Sequence, residues 1–415
     1  MRAIEDIYTP DLDYFEGAAA LVDRIEEIQA RLREDGIDGW LLYDFRGSNP
    51  TASKALGMDG LMLTRRIMYF IPAKGECTLL HHAIDSPNLP PLSGRLLEYT
   101  GWRDLDRKMS DTLRGSKRVA MEYFKHGSIP HLSRVDGGTL SWVRDRGVEV
   151  VPSADLVQFF LCRFSPEQAD AHRAVAQDLD RIKDKTFAMV GRKVKAGLLL
   201  TEYDVQQYVM EQMSRRSIIT DHPPVVSCGE ETANPHYVPS PDGSEDLEPG
   251  QLMMVALWGR HDRPVCAYAD IAWMAHIGPG PNKRAVEAFK LVVQAREAGL
   301  ELIRQRYKPG SKNGLEGWEV DRAVRDVIEA KGLGDCYTHR TGHNLGIYEG
   351  HGDGTHIDDL ETHDVRPLVQ GLAFTMEPGL YFDDFGVRSS IDVFLGPEGL
   401  EVTSPAQQEI VIIEV

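Results

Sequence analysis

The sequence predicts an α+β protein in two parts, an amino-terminal α/β domain over residues 1–164 and a carboxy-terminal domain over residues 165–415. In the first part strands alternate with helices. In the second, a run of strands, two helices and a further run of strands follow one another, the pattern of helices packed on one face of a sheet. Between the parts, Ser165-Pro-Glu-Gln168 reads as a helix start, with Ser as cap, Pro at the first helical position and Glu in the first turn. A chain of 415 residues accommodates two domains of the usual ~100–200 residues.

Residues up to about Tyr14 read as an irregular arm. From Gly17 to Asp35, Ala20, Val22, Ile25, Ile28 and Leu32 recur near the helical period. Gly39–Phe45 reads as a strand. Arg65–Pro72 and Cys77–Ile84 read as a hairpin around Ala73–Glu76. Arg118–Tyr123 and Val148–Val151 are further strands, with helical segments at Ser110–Leu113 and Gly138–Arg146. Past the Ser165 cap, helices are expected to about Val190 and from Thr201 to about Arg215. Strands follow at Pro224–Cys228, Leu252–Leu257 and Cys266–Ala275. Helices are expected at Lys283–Tyr307 and Trp318–Ala330. The last strands are Thr338–His343, Leu372–Glu377, Val387–Leu395 and Glu409–Val415.

The composition, 42% hydrophobic and 27% charged, is that of a globular protein. The net charge of −18 argues against nucleic acid or an anionic membrane surface as the main partner. No apolar run approaches the ~20 residues that cross a bilayer, and Met1-Arg-Ala-Ile-Glu-Asp6 lacks the apolar core of a signal peptide. Five scattered cysteines without Cys-x-x-Cys spacing point to reduced thiols and a cytoplasmic setting.

The chemistry-bearing residues sit late in the chain. Glu377 ends the apolar run Leu372–Met376 and is followed at once by Pro378-Gly379. A carboxylate there needs a partner, a proton or a cation. Asp270 lies inside the aromatic and apolar strand Tyr268–Trp273 and has the same need. His236, His343 and His351 lie in loops rich in Gly and Pro. Asp270, His343 and Glu377 supply one nitrogen and two carboxylates on separate segments. Such a set holds a divalent cation with open positions, or works without metal as an acid–base group. Spacing alone leaves both open. Asp392 is expected to face the same way as Ser390, two residues earlier, about one strand repeat (~6–7 Å) further along.

Five segments in order resemble the pita-bread family, which includes aminopeptidase P, prolidase, methionine aminopeptidase and creatinase. They are Asn234-Pro-His236, Tyr268-Ala-Asp-Ile271, Thr341-Gly-His-Asn-Leu-Gly346, Phe374-Thr-Met-Glu-Pro-Gly379 and Gly386-Val-Arg388. The resemblance covers about Pro166 to Val415, and Gly17–Ala154 is similar to the family's creatinase-like amino-terminal domain. It implies a creatinase-like α/β domain followed by a pita-bread domain. It also implies hydrolysis of a C–N bond, amide, Xaa-Pro-like or amidine-like, in a small molecule or short peptide, by a homodimer.

Metal-dependent members hold two divalent ions with five ligands. The resemblance puts three of them on Asp270, His343 and Glu377. The other two positions carry Ala256 and Ser390, which do not replace carboxylates as ligands to a hard cation. The cofactor implied is therefore none, or one divalent ion among Mn, Fe, Zn and Co. His236, His343 and Glu377 are the catalytic residues expected. His351, Arg340, Arg388 and Arg66 are the substrate-binding residues expected, Arg66 because creatinase sends an arginine from this region into the neighbouring subunit's site. The alternatives are a one-metal enzyme resembling aminopeptidase P and prolidase, and a non-catalytic binding protein.

Overall fold

The computed structural model describes residues 21–311 and 314–415. The expected amino-terminal arm and the first residues of the helix expected from Gly17 lie outside the described residues. The chain divides into two compact units, which meet in the sequence between Leu161 and Cys162.

The first unit carries β1 (Gly39–Phe45), β2 (Arg66–Pro72), β3 (Thr78–His82), β4 (Arg95–Tyr99), β5 (Arg118–Met121) and β6 (Glu149–Pro152) in one sheet of order β4-β3-β2-β1-β5-β6. Its helices are α1 (Ile25–Glu34), α2 (Pro50–Ala55), α3 (Trp102–Thr112), α4 (Gly137–Arg144) and α5 (Ala154–Val157). Trp40, Leu41, Leu42 and Tyr43 of β1 are all buried, so this central strand is covered on both faces. The continuous apolar run is the sequence sign of that position. Glu122 is fully buried yet accepts hydrogen bonds from Trp40, Asn49 and Ser153 at 2.8, 2.8 and 3.0 Å, which makes its burial tolerable. The sequence reading missed α2, capped by Asn49, and β4, whose residues are mostly exposed and so carry no apolar period.

The second unit begins with α6 (Pro166–Lys195), opened by a complete capping box between Ser165 and Gln168, and α7 (Glu202–Ser214). Strands β7 (Ile218–Ile219), β8 (Val225–Cys228), β9 (Leu252–His261) and β10 (Ala269–Ile277) follow. Then come α8 (Lys283–Arg306), α9 (Gly317–Glu329), β11 (Ala373–Met376), β12 (Gly379–Tyr381), β13 (Gly386–Arg388), β14 (Ile391–Gly396), β15 (Gly399–Val402) and β16 (Val411–Ile413). The main sheet runs β16-β10-β9-β7, with β8 also on β9. Helices α6 and α7 close over it through Val175, Leu179, Ile182, Val205 and Val209, packed with Met253, Val255, Ile271 and Ala275. A second sheet has the order β11-β14-β15.

Two expectations are corrected here. Thr338–His343 is not a regular strand. Arg325 of α9 takes the carbonyls of Tyr337 and His339, and Asp321 takes the amide of Thr341 at 2.9 Å, so those groups are spent on a helix. Gly342 lets the segment press against β11, since a Cβ there would stand 1.9 Å from the Thr375 carbonyl oxygen. The expected strand Val387–Leu395 is split. Its backbone leaves β12 after Arg388, and Ser390 pairs with Ala272 of β10 before β14 begins. That crossing binds the two sheets together at the point where the acidic residues gather.

His172 on α6 braces the same place. Its ring is buried between the Tyr268 carbonyl at 2.7 Å and the Thr403 hydroxyl at 2.7 Å. Burial pushes its pKa down to about 4, so the folded state refuses a proton that the unfolded chain accepts near 6.5. The stability it supplies is present above pH 6.5 and is lost as pH falls towards 4. The expected loss is about 3 kcal/mol. Thermal melts of wild type and His172→Gln between pH 7 and pH 4.5 check this: the gap between them narrows by that amount on acidification.

Candidate functional site

Strand register brings the candidate residues onto one face. Asp270 lies opposite Trp258, and Ala272 opposite both Ala256 and Ser390. Thr375 lies opposite Asp392. Side chains two residues apart share a face of a strand. One row therefore reads Trp258, Asp270, Asp392, Thr375, and the next reads Ala256, Ala272, Ser390, Glu377. The segment before β11 is stitched on by Leu345 N to Ala373 O at 2.8 Å and Thr375 N to His343 O at 2.9 Å, which delivers His343.

Thr375 links the two sides of the site. Its hydroxyl accepts from the His343 amide at 3.0 Å and donates to Glu377 Oε1 at 3.0 Å. His343 is buried, and its Nε2 faces Asp270 Oδ2 at 3.4 Å and Glu377 Oε1 at 3.5 Å. Its Nδ1 lies 3.1 Å from the Asn344 carbonyl oxygen. A carbonyl only accepts, so Nδ1 carries the proton. In a neutral ring Nε2 is then a bare lone pair aimed at two carboxylates. Acceptor against acceptor needs a proton, on the ring or on a carboxyl, or a metal ion between them.

The carboxylates differ. Burial raises the Asp270 carboxyl, opposed by its hydrogen bond to His343. Burial works against the charge on Glu377 too, but His343 and Arg388 outweigh it and hold this carboxyl below its ordinary value. Arg388 Nη1 is 3.9 Å from Glu377 Oε2, and its buried Nε has no hydrogen-bond partner among the described residues. Glu377 is thus the charged acid of the pair.

The outer side of the site is made of rings. His351 packs on His343 with centroids 3.8 Å apart. Arg340 Nη2 lies 3.3 Å from His351 Nδ1, and Arg340 Nη1 lies 3.6 Å from Glu361. Arginine only donates, so His351 Nδ1 accepts and the ring proton is on Nε2. The His343 ring beside it, above all, pushes the His351 pKa down. His222 and His236 lie close enough for their charges to act on His351 in the same direction. His236 is exposed; an Asn234 side chain caps its amide at 3.0 Å, and the next residue, Tyr237, donates to the buried Glu202.

The structure therefore gathers Asp270, His343, Glu377, Arg388, His351 and Arg340 in one place, with His236 on the His351 side. Arg66 belongs to the first unit, exposed at the head of β2. Three contributors escaped the sequence reading. His339 is half-buried beside Glu377; its Nδ1 donates to the Arg340 carbonyl at 2.7 Å and its Nε2 accepts from Tyr381 at 2.8 Å. Burial pushes its pKa down to about 4, which keeps it neutral. Its place four residues before His343 was the available signal. Thr375 gave none. Asp392 holds the Asp270 amide through Oδ1 at 3.0 Å. The strands part at this point, so a side chain replaces the missing ladder bond.

Three outside comparisons bear on this arrangement. The family model "Metallopeptidase family M24" matches residues 170–396. An uncharacterized peptidase of Staphylococcus epidermidis is 27% identical over 219 residues, 52% of this chain and 55% of that protein. The match thus spans only about half the length of that relative. The crystal structure of dipeptidase PepE from Mycobacterium ulcerans superposes with a TM-score of 0.71 at 19% identity, covering 98% of this chain and 99% of that one. The X-prolyl aminopeptidase of Caenorhabditis elegans, described as a cytosolic enzyme with a di-nuclear active site, gives 0.68 at 16% identity, covering 96% of this chain and 64% of that one. The two-unit, mixed α/β architecture is that of the pita-bread peptidases. The chain belongs to the M24 metallopeptidase family, a family of peptide-bond hydrolases.

The family implies divalent metal, and the donor set tests the fit. Near Asp270 the buried positions 256 and 390 carry Ala and Ser, neither of which offers a carboxylate to a hard cation. A single ion fits in donor type. The two N···O separations at His343 also approach the ~3.4 Å expected between ligands of a tetrahedral ion with ~2.1 Å bonds. No three His, Cys, Asp or Glu side chains among the described residues are jointly spaced as a finished cage, so one ion would have to draw them together.

Proposed function

We propose that this chain hydrolyses a C–N bond, amide, Xaa-Pro-like or amidine-like, in a small molecule or short peptide, by His and Glu acid–base chemistry without a two-ion centre. The observation that carries this is the trio of His343 between Asp270 and Glu377, standing beside Ala256 and Ser390. Membership of a peptidase family supports the bond type. Residues 165–415 form the catalytic domain in this reading, and residues 1–164 the creatinase-like domain. A cytoplasmic homodimer is the setting it assigns, with Arg66 offered to the partner's site. Among the described residues no helix is long and apolar enough to cross a membrane.

The steps follow from the side chains. His236, on its exposed turn, takes a proton from the attacking water and returns it to the leaving nitrogen. Glu377, held charged by Arg388 and His343, orients the water. His343, as an imidazolium held by Asp270, stabilises the oxyanion through its charge. Arg340, Arg388 and His351 bind the polar ends of the substrate. One observation favours a second form of the reading: the fixed Nδ1 proton on His343 also suits a metal ligand. An ion held by Asp270, His343 and Glu377 would polarise the scissile carbonyl and acidify water.

The test is a screen of Xaa-Pro dipeptides, N-acyl amino acids and guanidino compounds, with and without chelator, on metal-assayed protein. Turnover is expected with at most one metal per chain. His236→Ala is expected to lower kcat by about 10²–10⁴-fold. Two tightly held ions per chain, or full activity in His236→Ala, would sink the reading. Tight ligand binding with no turnover would mark a binding protein instead.

A further inference from the structure

We propose that Trp258 is a specificity-determining residue, an aromatic platform beside Asp270 that takes a flat cationic group of the substrate. The assignment rests on the C–N hydrolase reading of the same site and narrows its substrate class. Trp258 and Asp270 are register partners in the antiparallel pair of β9 and β10. Such partners project from the same face, with Cβ atoms ~4.5–5.5 Å apart. From Leu252 to Arg260, Trp258 alone is not fully buried. An apolar side chain of this size gains most from complete burial, so its partial opening on the face of the site calls for a reason.

The indole is fixed by its five-membered ring. Its Nε1 donates to Asp221 Oδ1 at 2.7 Å, and Asp221 Oδ2 accepts from the Gly350 amide at 2.9 Å. A Cβ on Gly350 would stand 3.3 Å from Trp258 Cδ1, so the loop lies against the same edge. His351, the next residue, packs on His343 with centroids 3.8 Å apart. One carboxylate thus holds the indole between Asp270 and the His351 loop. Indole is the best aromatic partner for a cation, and its charge-assisted bond to Asp221 leaves more negative charge on the ring. Both oxygens of Asp221 already accept hydrogen bonds, so a flat cation stacked on the indole keeps its own N–H groups for Asp270. The basic side chains of the site stand elsewhere. Arg388 is 3.9 Å from Glu377 and Arg340 3.6 Å from Glu361, while Arg260, two residues beyond Trp258, lies over the Tyr268 ring. The competing role for Trp258 is a strut that ties the loop to the sheet. A strut needs an N–H donor and no aromatic face, and substitution separates the two.

The experiment uses the full chain and two flat probes of the same shape, methylguanidinium and methylurea, with Kd read by ligand-observed NMR. Wild type is expected to bind the cation about 10-fold more tightly than the neutral probe. Trp258→Phe keeps an aromatic face without the N–H and is expected to retain most of that preference. Trp258→Gln keeps an N–H donor without the face and is expected to bring the two constants within about 2-fold of each other. Equal binding of the two probes by wild type overturns the proposal. So does a preference that survives in Trp258→Gln, the mark of a strut. If Trp258→Gln does not fold, Trp258→Phe decides: a preference kept there supports the platform, and one lost overturns it. Turnover in the substrate screen without any cation preference removes the platform and leaves the hydrolase reading intact. A cation preference that depends on Trp258, in a protein that turns nothing over, does the reverse.

Discussion

Glu377→Gln is expected to abolish most turnover and to destabilise the fold at once. The substitution keeps the shape and the hydrogen bond from Thr375 at 3.0 Å. It removes the charge that His343 faces at 3.5 Å and Arg388 at 3.9 Å. Arg388 already has a buried Nε without a hydrogen-bond partner among the described residues. Taking away this carboxylate breaks a largely buried ion pair, a change that typically costs about 3–5 kcal/mol. Catalysis loses the group that orients water, for which about 10²–10⁴ in kcat is usual. The measurement is kcat on any substrate found by the screen, together with a thermal melt. Wild-type kcat in Glu377→Gln would remove this residue from the chemistry. An unchanged Tm would remove the ion-pair argument independently.

Putting back the two absent carboxylates is the second large effect. Ala256 and Ser390 flank Ala272 on either side, both buried, in the row that ends at Glu377. The double variant Ala256→Asp, Ser390→Glu adds two acids beside Asp270, Asp392 and Glu377. Without metal this concentrates negative charge in a dry place, at a cost of several kcal/mol per unpaired ion. The expected result is a metal-free protein that melts far below wild type, recovers on adding Mn²⁺, and holds two ions per chain. Each tenfold excess of Mn²⁺ over Kd adds about 1.4 kcal/mol to the recovered stability. A double variant that binds no more metal than wild type would show that these two positions do not face the site.

Both variants depend on register, which marks how far the sequence reaches. Long apolar runs and good caps announced most of the second unit. Ser165 capped α6 as its sequence indicates, and the segments at 202–214, 283–306 and 317–329 were foreseeable as helices. Local signals failed where distant partners set the backbone. The strand expected at Thr338–His343 is irregular because Asp321 and Arg325, on α9, claim its amide and carbonyls. The break at Ser389-Ser390 comes from pairing with Ala272, more than a hundred residues earlier. Strand β4 carries no apolar alternation because most of it faces solvent.

The candidate site divides in the same way. Asp270, His343 and Glu377 could be picked out in the sequence because a charged or ring nitrogen group in apolar surroundings needs a partner, whatever the fold. What those residues do together could not. The proton on His343 Nδ1 is fixed by the neighbouring carbonyl, Glu377 is kept charged by Arg388 and His343, and Asp392 sits on the Asp270 amide. Each depends on distances of a few ångströms between segments far apart in the chain. Residue order tells which chemical groups the site can draw on. Their partners come from the fold, because hydrogen bonding and electrostatics in a buried site act between atoms in contact and carry no trace in local residue order.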